Sequence, residues 1–124
     1  MTEGRAINPT AIETMLENTG GDPEFVVEII GDFLADTSTL LDNLTSACSA
    51  RDAEAARRVA HSVKGSSANF GATRLADLAA GIEKRCLRSD IDSIEELLPA
   101  IRTEFDLVTH ALQAEQSHLL ETSS

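Results

Sequence analysis

The chain has no tryptophan and no tyrosine, and its four phenylalanines leave aromatic content at 3%. β-Branched clusters are few, and no segment alternates apolar and polar residues with period two over a useful length. These absences exclude a core built on sheets. No apolar run approaches the roughly 18 residues that a transmembrane helix needs. The start, Met1-Thr2-Glu3-Gly4-Arg5-Ala6, lacks the basic and apolar regions of a secretory signal. A cytoplasmic protein that does not bind membranes is expected. The two cysteines, Cys48 and Cys86, form no Cys-x-x-Cys pair and fall on apolar stripes of separate segments, so buried reduced thiols are expected. There is no Gly-rich phosphate loop of the Walker or kinase type, so the chain is not expected to bind ATP.

Cations are scarce overall, 10 against 21 acidic residues, for a net charge of −11. They are also unevenly placed. From Arg57 to Arg88 seven cations face only Asp77 and Glu83, so this stretch carries +5 and the remainder −16. The −16 argues against nucleic acid, whose phosphates most of the surface would repel. The +5 stretch would welcome an acidic partner or a phosphoryl group, although a run of solvated cations with no partner has the same composition.

What the chain does have is helical periodicity. Its 124 residues suit a single domain, 1–124, with 1–7 and 116–124 reading as frayed tails. Asn8-Pro9 and Asp22-Pro23 are helix starts, each with an N-cap and a proline at the first helical position. Gly20-Gly21 closes the first segment. From Val26 to Cys48, apolar residues recur at spacings of three and four, broken only by Thr37. Asp52 caps a third helix that ends near Gly71. A fourth begins near Ala72-Thr73 and buries Leu75, Leu78, Ala79, Ile82 and Cys86. Asp90 or Asp92 starts the last, whose pattern runs from Ile94 to Leu112 and in which Pro99 should impose a kink or a restart. The fold class is all-α: an antiparallel up-and-down four-helix bundle with a short extra N-terminal helix. No exposed heptad seam is evident, so a monomer is expected.

The third helix carries the chemistry. With Val59 at zero and a step of 100° per residue, Ala56, Val59, Val63 and Phe70 fall within about 60° and define a buried stripe. His61 lies near 200°, with Lys64, Arg57, Ala68 and Gly65 around it. The imidazole is therefore expected in solvent, kept neutral and nucleophilic by Arg57 and Lys64. Gly65 costs a helix roughly 1 kcal/mol relative to alanine. A bare backbone beside His61 lets another molecule approach, while an early helix end or a closely packed neighbour would also explain it. Ser66 and Ser67 point toward the core, as small residues bonding back to the preceding turn. No serine or cysteine nucleophile, oxyanion loop or paired carboxylate accompanies His61, which excludes hydrolysis and acyl transfer and favours attack on an incoming phosphoryl group. Glu83 sits on the flank of the fourth helix, where a side chain can reach a neighbour. His110 also points outward, with Asp106 one turn away. Such a pair holds a metal weakly at best without a third ligand. His118 lies in the polar tail.

The run Ala60-His61-Ser62-Val63-Lys64-Gly65-Ser66-Ser67-Ala68-Asn69-Phe70-Gly71-Ala72, followed by Leu75 and Ile82-Glu83, resembles the histidine-containing phosphotransfer (HPt) domain family. Its one departure is Val63, where the family usually has leucine. The resemblance implies a four-helix bundle that shuttles phosphoryl groups between receiver-domain aspartates in multistep two-component relays, without kinase activity of its own. Carried over by position, His61 is the phosphoacceptor, Lys64 steadies the phosphoryl group or the receiver's acidic pocket, and Gly65 leaves room for the receiver. Glu83 orients the histidine and leaves its Nε2 free. Arg57 and Arg58 join Lys64 and Gly65 as phosphoryl- or partner-binding residues. Receiver domains and a hybrid sensor kinase are the implied partners. No cofactor or metal of its own is expected, since the Mg²⁺ of such transfers would belong to the receiver. The alternative function is a helical docking module that binds a receiver or kinase without carrying phosphate. Met1 and the polar tail fit a free-standing protein.

Overall fold

The computed structural model describes residues 6–123. Five helices follow one another: α1 (Pro9–Asn18), α2 (Pro23–Ser49), α3 (Ala53–Asn69), α4 (Thr73–Leu87) and α5 (Ile91–Ser123). No strand occurs among the described residues. Helix α2 packs on α3 and α5, and α4 packs on the same two, so α2 to α5 close a bundle of antiparallel neighbours. Helix α1 lies against α2 at one end.

The helix starts follow from local chemistry. Asn8, Asp22, Asp52 and Asp90 each place Oδ1 as acceptor for a backbone N–H of the first turn, at 3.0, 3.2, 3.1 and 3.2 Å. Asp90 rather than Asp92 thus begins α5. The ends of α1 to α4 share one device. In each, the residue two past the last helical one takes a left-handed conformation, and two backbone N–H groups satisfy carbonyls of the last turn. Those residues are Gly20, Arg51, Gly71 and Ser89, with φ between 54° and 72°. For α3 the bonds run from Gly71 N to Ala68 O and from Ala72 N to Ser67 O, at 3.1 and 2.9 Å.

The core runs the length of the bundle through Ile30, Leu41, Leu44, Val63, Leu75, Ile82, Ile94, Ile101 and Leu112. Phe33 of α2 stacks on Phe70 at the end of α3, with ring centroids 4.3 Å apart. Three sequence expectations need correction. Helix α5 continues through Pro99, so the proline does not mark a restart. Buried residues on both sides of Pro99, Ile94 and Ile101 among them, hold the helix against the loss of one backbone bond, a penalty of about 3 kcal/mol. The tails are also more ordered than their polarity suggests. Ile7 is buried and Asn8 donates its N–H to Gly71 O at 3.0 Å, while residues 1–5 lie outside the described residues. Helix α5 continues past residue 116, with Leu119 in the core two turns beyond Leu112 and Gln116 Nε2 donating to Val27 O at 3.0 Å. Finally, Ser67 is buried as expected but its hydroxyl finds no partner in the preceding turn, and Thr37 Oγ1 is likewise buried and unpaired.

Candidate functional site

The site is built on the outer seam between α3 and α4. The stripe that α3 buries consists of Ala56, Ala60, Val63, Ser67 and Phe70, with Val59 on its flank. His61 therefore points away from the core, and 64% of its side chain is exposed. Across the seam Glu83 is held by the burial of Ile82 and Cys86 beside it on α4. Its carboxylate is bonded at both oxygens. Oε2 is 2.9 Å from His61 Nδ1, and Oε1 accepts from Lys64 Nζ at 2.8 Å.

This arrangement favours one histidine tautomer. The Lys64 ammonium, and then the His61 bond, hold the Glu83 carboxyl below its ordinary value of 4.5, against the upward push of burial. At neutral pH Glu83 is an ionised acceptor only, so the proton between it and the ring resides on Nδ1. In the tautomer that carries its proton on Nδ1, the imidazole keeps its lone pair on Nε2.

Gly65 lies one turn along α3. The helix continues four residues beyond it, to Asn69, so it is not an end. Beyond the backbone of its own helix turn, a Cβ built on Gly65 would meet no heavy atom within 4 Å, so no neighbour packs against it either. The glycine leaves open space on the side of the ring. One turn beyond Glu83, Leu87 exposes 74% of its surface to the same side of α4.

The cations stand differently from their expected arrangement. Arg57 donates from Nε and Nη2 to Glu54 at 3.1 and 2.7 Å, and Arg58 approaches the same carboxylate at 3.6 Å. Both guanidinium groups are thus drawn toward the first turn of α3 rather than toward the ring. Lys64 is near the site but engaged by Glu83. The charge in direct contact with the imidazole is an anion, which overturns the picture of a ring flanked by free cations. Sequence spacing missed these pairs for different reasons. Glu54 was legible, at i−3 and i−4 from the two arginines. The Lys64–Glu83 bond joins two helices and has no signal in spacing along either one.

The other two histidines are less engaged: His118 is exposed on α5. His110 Nδ1 lies 2.9 Å from the backbone carbonyl of Asp106, not from its carboxylate. Among the described residues no three His, Cys, Asp or Glu side chains gather as a metal site. None of the helices is long and apolar enough to cross a membrane, among the described residues.

The Hpt domain family matches residues 28–120, three-quarters of the chain. The chain belongs to the Hpt domain family. Its fold is that of histidine-containing phosphotransfer protein B (HptB) from Pseudomonas aeruginosa PAO1, with a TM-score of 0.85 at 25% identity over 94% of this chain and 98% of that one. The maize histidine-containing phosphotransfer protein ZmHP2 has the same fold, with a TM-score of 0.80 at 22% identity over 97% of this chain and 88% of that one. No curated protein sequence matches. Membership gives the Hpt chain a phosphotransfer role in a two-component phosphorelay, as a phosphocarrier rather than an enzyme. Hpt proteins act there with receiver domains and kinases.

Proposed function

We propose that His61 is the phosphoacceptor of this Hpt domain and that the chain acts as a monomeric, single-domain, cytoplasmic intermediate between two receiver domains. The observation that carries the reading is the exposed imidazole with Nδ1 held by Glu83 and Nε2 unencumbered. The Nε2 lone pair attacks the phosphorus of a receiver's aspartyl phosphate. The P–Nε2 bond forms as the P–O bond to the aspartate breaks, and the aspartate leaves as a carboxylate. The ring then bears its proton on Nδ1 and the phosphoryl group on Nε2, and the Glu83 carboxylate offsets the positive charge that develops. Transfer to the next receiver is the reverse of these steps.

Lys64 has three donors and needs one for Glu83, so it can also donate to a phosphoryl oxygen. Gly65 gives the receiver access, and Leu87 offers it an apolar contact at the edge of the site. The sequence has no Gly-rich phosphate loop of the Walker or kinase type, and in this reading the phosphoryl group comes from the receiver domain of a hybrid kinase rather than from autokinase activity.

The test is incubation with each phosphorylated receiver domain from the same cell, scored for transfer to the wild type and to His61→Gln. Wild-type labelling that is acid-labile and lost in the variant, with the helical spectrum unchanged, supports the assignment. Labelling that survives the substitution refutes it. Binding of a receiver without any labelling of the wild type would instead favour a docking module.

A further inference from the structure

A second feature lies on the opposite flank of α4, in its seam with α5. There a cleft of about 450 Å³ is walled by Arg74 and Leu78 of α4 and by Pro99, Ala100, Glu104 and Leu107 of α5. Arg74 is nine residues before Glu83, which places it about 180° round the helix and about 13 Å along its axis from the His61 site. The two sites therefore face different directions.

Glu104 sets the chemistry of this cleft. Its side chain is 6% exposed, the least accessible carboxylate among the described ion pairs. Among the described residues, Oε2 is buried and has no hydrogen-bond partner. Oε1 has only the Nε of Arg74 among them, at 3.7 Å, an ion-pair separation that is too long for a hydrogen bond. Arg74 itself is 73% exposed, so solvent competes for its guanidinium. A buried carboxylate with its lone pairs this poorly used is costly, and a cationic donor that reached it would relieve that cost. The surrounding surface suits such a donor. Leu107 is half-exposed, and with Leu78, Pro99 and Ala100 it lines the cleft with apolar groups that pack well on the methylene stem of a long basic side chain.

We propose that the α4–α5 cleft is a docking site for a basic side chain of a partner protein, whose ammonium or guanidinium group pairs with Glu104 while its stem lies against Leu78 and Leu107. Arg74 is the intramolecular stand-in that the partner displaces. This site is separate from His61 and independent of phosphoryl transfer.

The experiment uses the full chain, labelled with ¹⁵N, titrated with N-acetyl-lysine methylamide. N-acetyl-norleucine methylamide, which keeps the stem and lacks the charge, serves as control. Saturable shifts of the Thr103, Glu104 and Leu107 amides with the lysine derivative, absent with norleucine, are expected. Glu104→Gln should abolish them without altering phosphotransfer. Arg74→Ala, a change at an exposed position, should lower the apparent dissociation constant several-fold by removing the competing cation. Shifts that fail to saturate, that match those from norleucine, or that persist in Glu104→Gln would overturn the proposal. Unchanged affinity in Arg74→Ala would overturn the displacement step, and this arm stands even if the Glu104 variant does not fold.

Discussion

The Nδ1 of His61 on α3 and the Oε2 of Glu83 on α4 are 2.9 Å apart, although 22 residues separate them in the chain. This bond makes the tautomer of an exposed ring a property of the α3–α4 packing. Two substitutions separate the roles of shape and charge at Glu83. Glu83→Gln keeps a carbonyl oxygen to accept from Nδ1 but gives up the charge beside Lys64. Glu83→Ala frees the ring. We expect ¹⁵N spectra of the wild type and the Gln variant to show Nε2 unprotonated in the neutral ring, and the Ala variant to show mixed tautomers. Phosphotransfer should fall about tenfold or more in Glu83→Ala and less in Glu83→Gln, in keeping with other hydrogen-bond partners that orient a reactive histidine. Equal rates in all three proteins would remove Glu83 from the mechanism.

The same carboxylate predicts a pH dependence of stability. Lys64 and His61 hold the folded-state value of Glu83 below 4.5, and Arg57 does the same for Glu54. Each unfolded chain then binds more protons than the folded one over the range between the two values. The stabilisation is therefore complete above the unfolded value and is lost as pH falls below it through the folded value. Urea denaturation of the wild type and of Glu83→Gln at neutral pH and at about pH 3 checks this: the gap between the two proteins should narrow in acid. A gap that widens in acid contradicts the assigned ion pairs.

Gly65 gives an unusual combination of effects on stability and function. Beyond its own helix backbone, no atom stands within 4 Å of a Cβ there, and the residue is in the interior of a helix. Gly65→Ala should therefore stabilise the fold by about 0.5–1 kcal/mol, read as a higher midpoint in thermal melts. Gly65→Phe should also fold, since its ring projects into solvent. Yet it should slow transfer from a phosphorylated receiver strongly, because it fills the approach to Nε2. A Phe variant that accepts phosphate at the wild-type rate would show that the open space has no part in partner access.

Much of this architecture was legible in the sequence because the signals are local. The caps at Asn8, Asp22 and Asp52 and the stripe from Val26 to Cys48 each depend on residues within a few positions of one another. So does the outward direction of His61, which follows from Ala56, Val63 and Phe70 alone. What escaped notice lies between elements. Lys64 was expected to face a phosphoryl group, but its nearest anion comes from another helix. Helix α5 outlasts its apolar pattern because Leu119 and Gln116 are held by contacts outside α5, in the second case by the Val27 carbonyl. Pro99 is a strong breaker on paper, and burial on either side of it outweighs the local rule.

The turn residues offer a test in which two changes have opposite signs. Gly71 has φ +67°, and a Cβ there would stand 2.8 Å from the Asn8 Cβ and 2.9 Å from its N. Gly71→Ala combines left-handed strain with a clash against backbone that carries the Asn8–Gly71 hydrogen bond. It should cost at least about 1–3 kcal/mol. Ser89 occupies the equivalent position after α4 with φ 54°, and it is exposed. Ser89→Gly removes a left-handed penalty of roughly 1–2 kcal/mol, offset by the greater freedom of glycine in the unfolded chain, for a net gain of up to about 1 kcal/mol. Chemical denaturation of both variants decides the point. A neutral Gly71→Ala would mean that α1 does not pack against this turn.

Cys48 and Cys86 lie near the ends of α2 and α4, and both are free and buried. Burial pushes both thiols up, with Glu95 adding to the effect at Cys48 and Cys48 itself at Cys86, where the value reaches about 11. The reactive species is the thiolate, and at about pH 8 the Cys86 thiol is ionised to the order of one part in a thousand. Access is restricted as well, since Cys48 and Cys86 expose 1% and 5% of their surface. We therefore expect no reaction with Ellman's reagent in the native protein over the time in which denatured protein reacts fully. Destabilising substitutions supply the internal control: in Gly71→Ala, the rate of labelling should rise in proportion to the population of opened molecules. Rapid labelling of the native wild type would mean that the ends of α2 and α4 open without global unfolding.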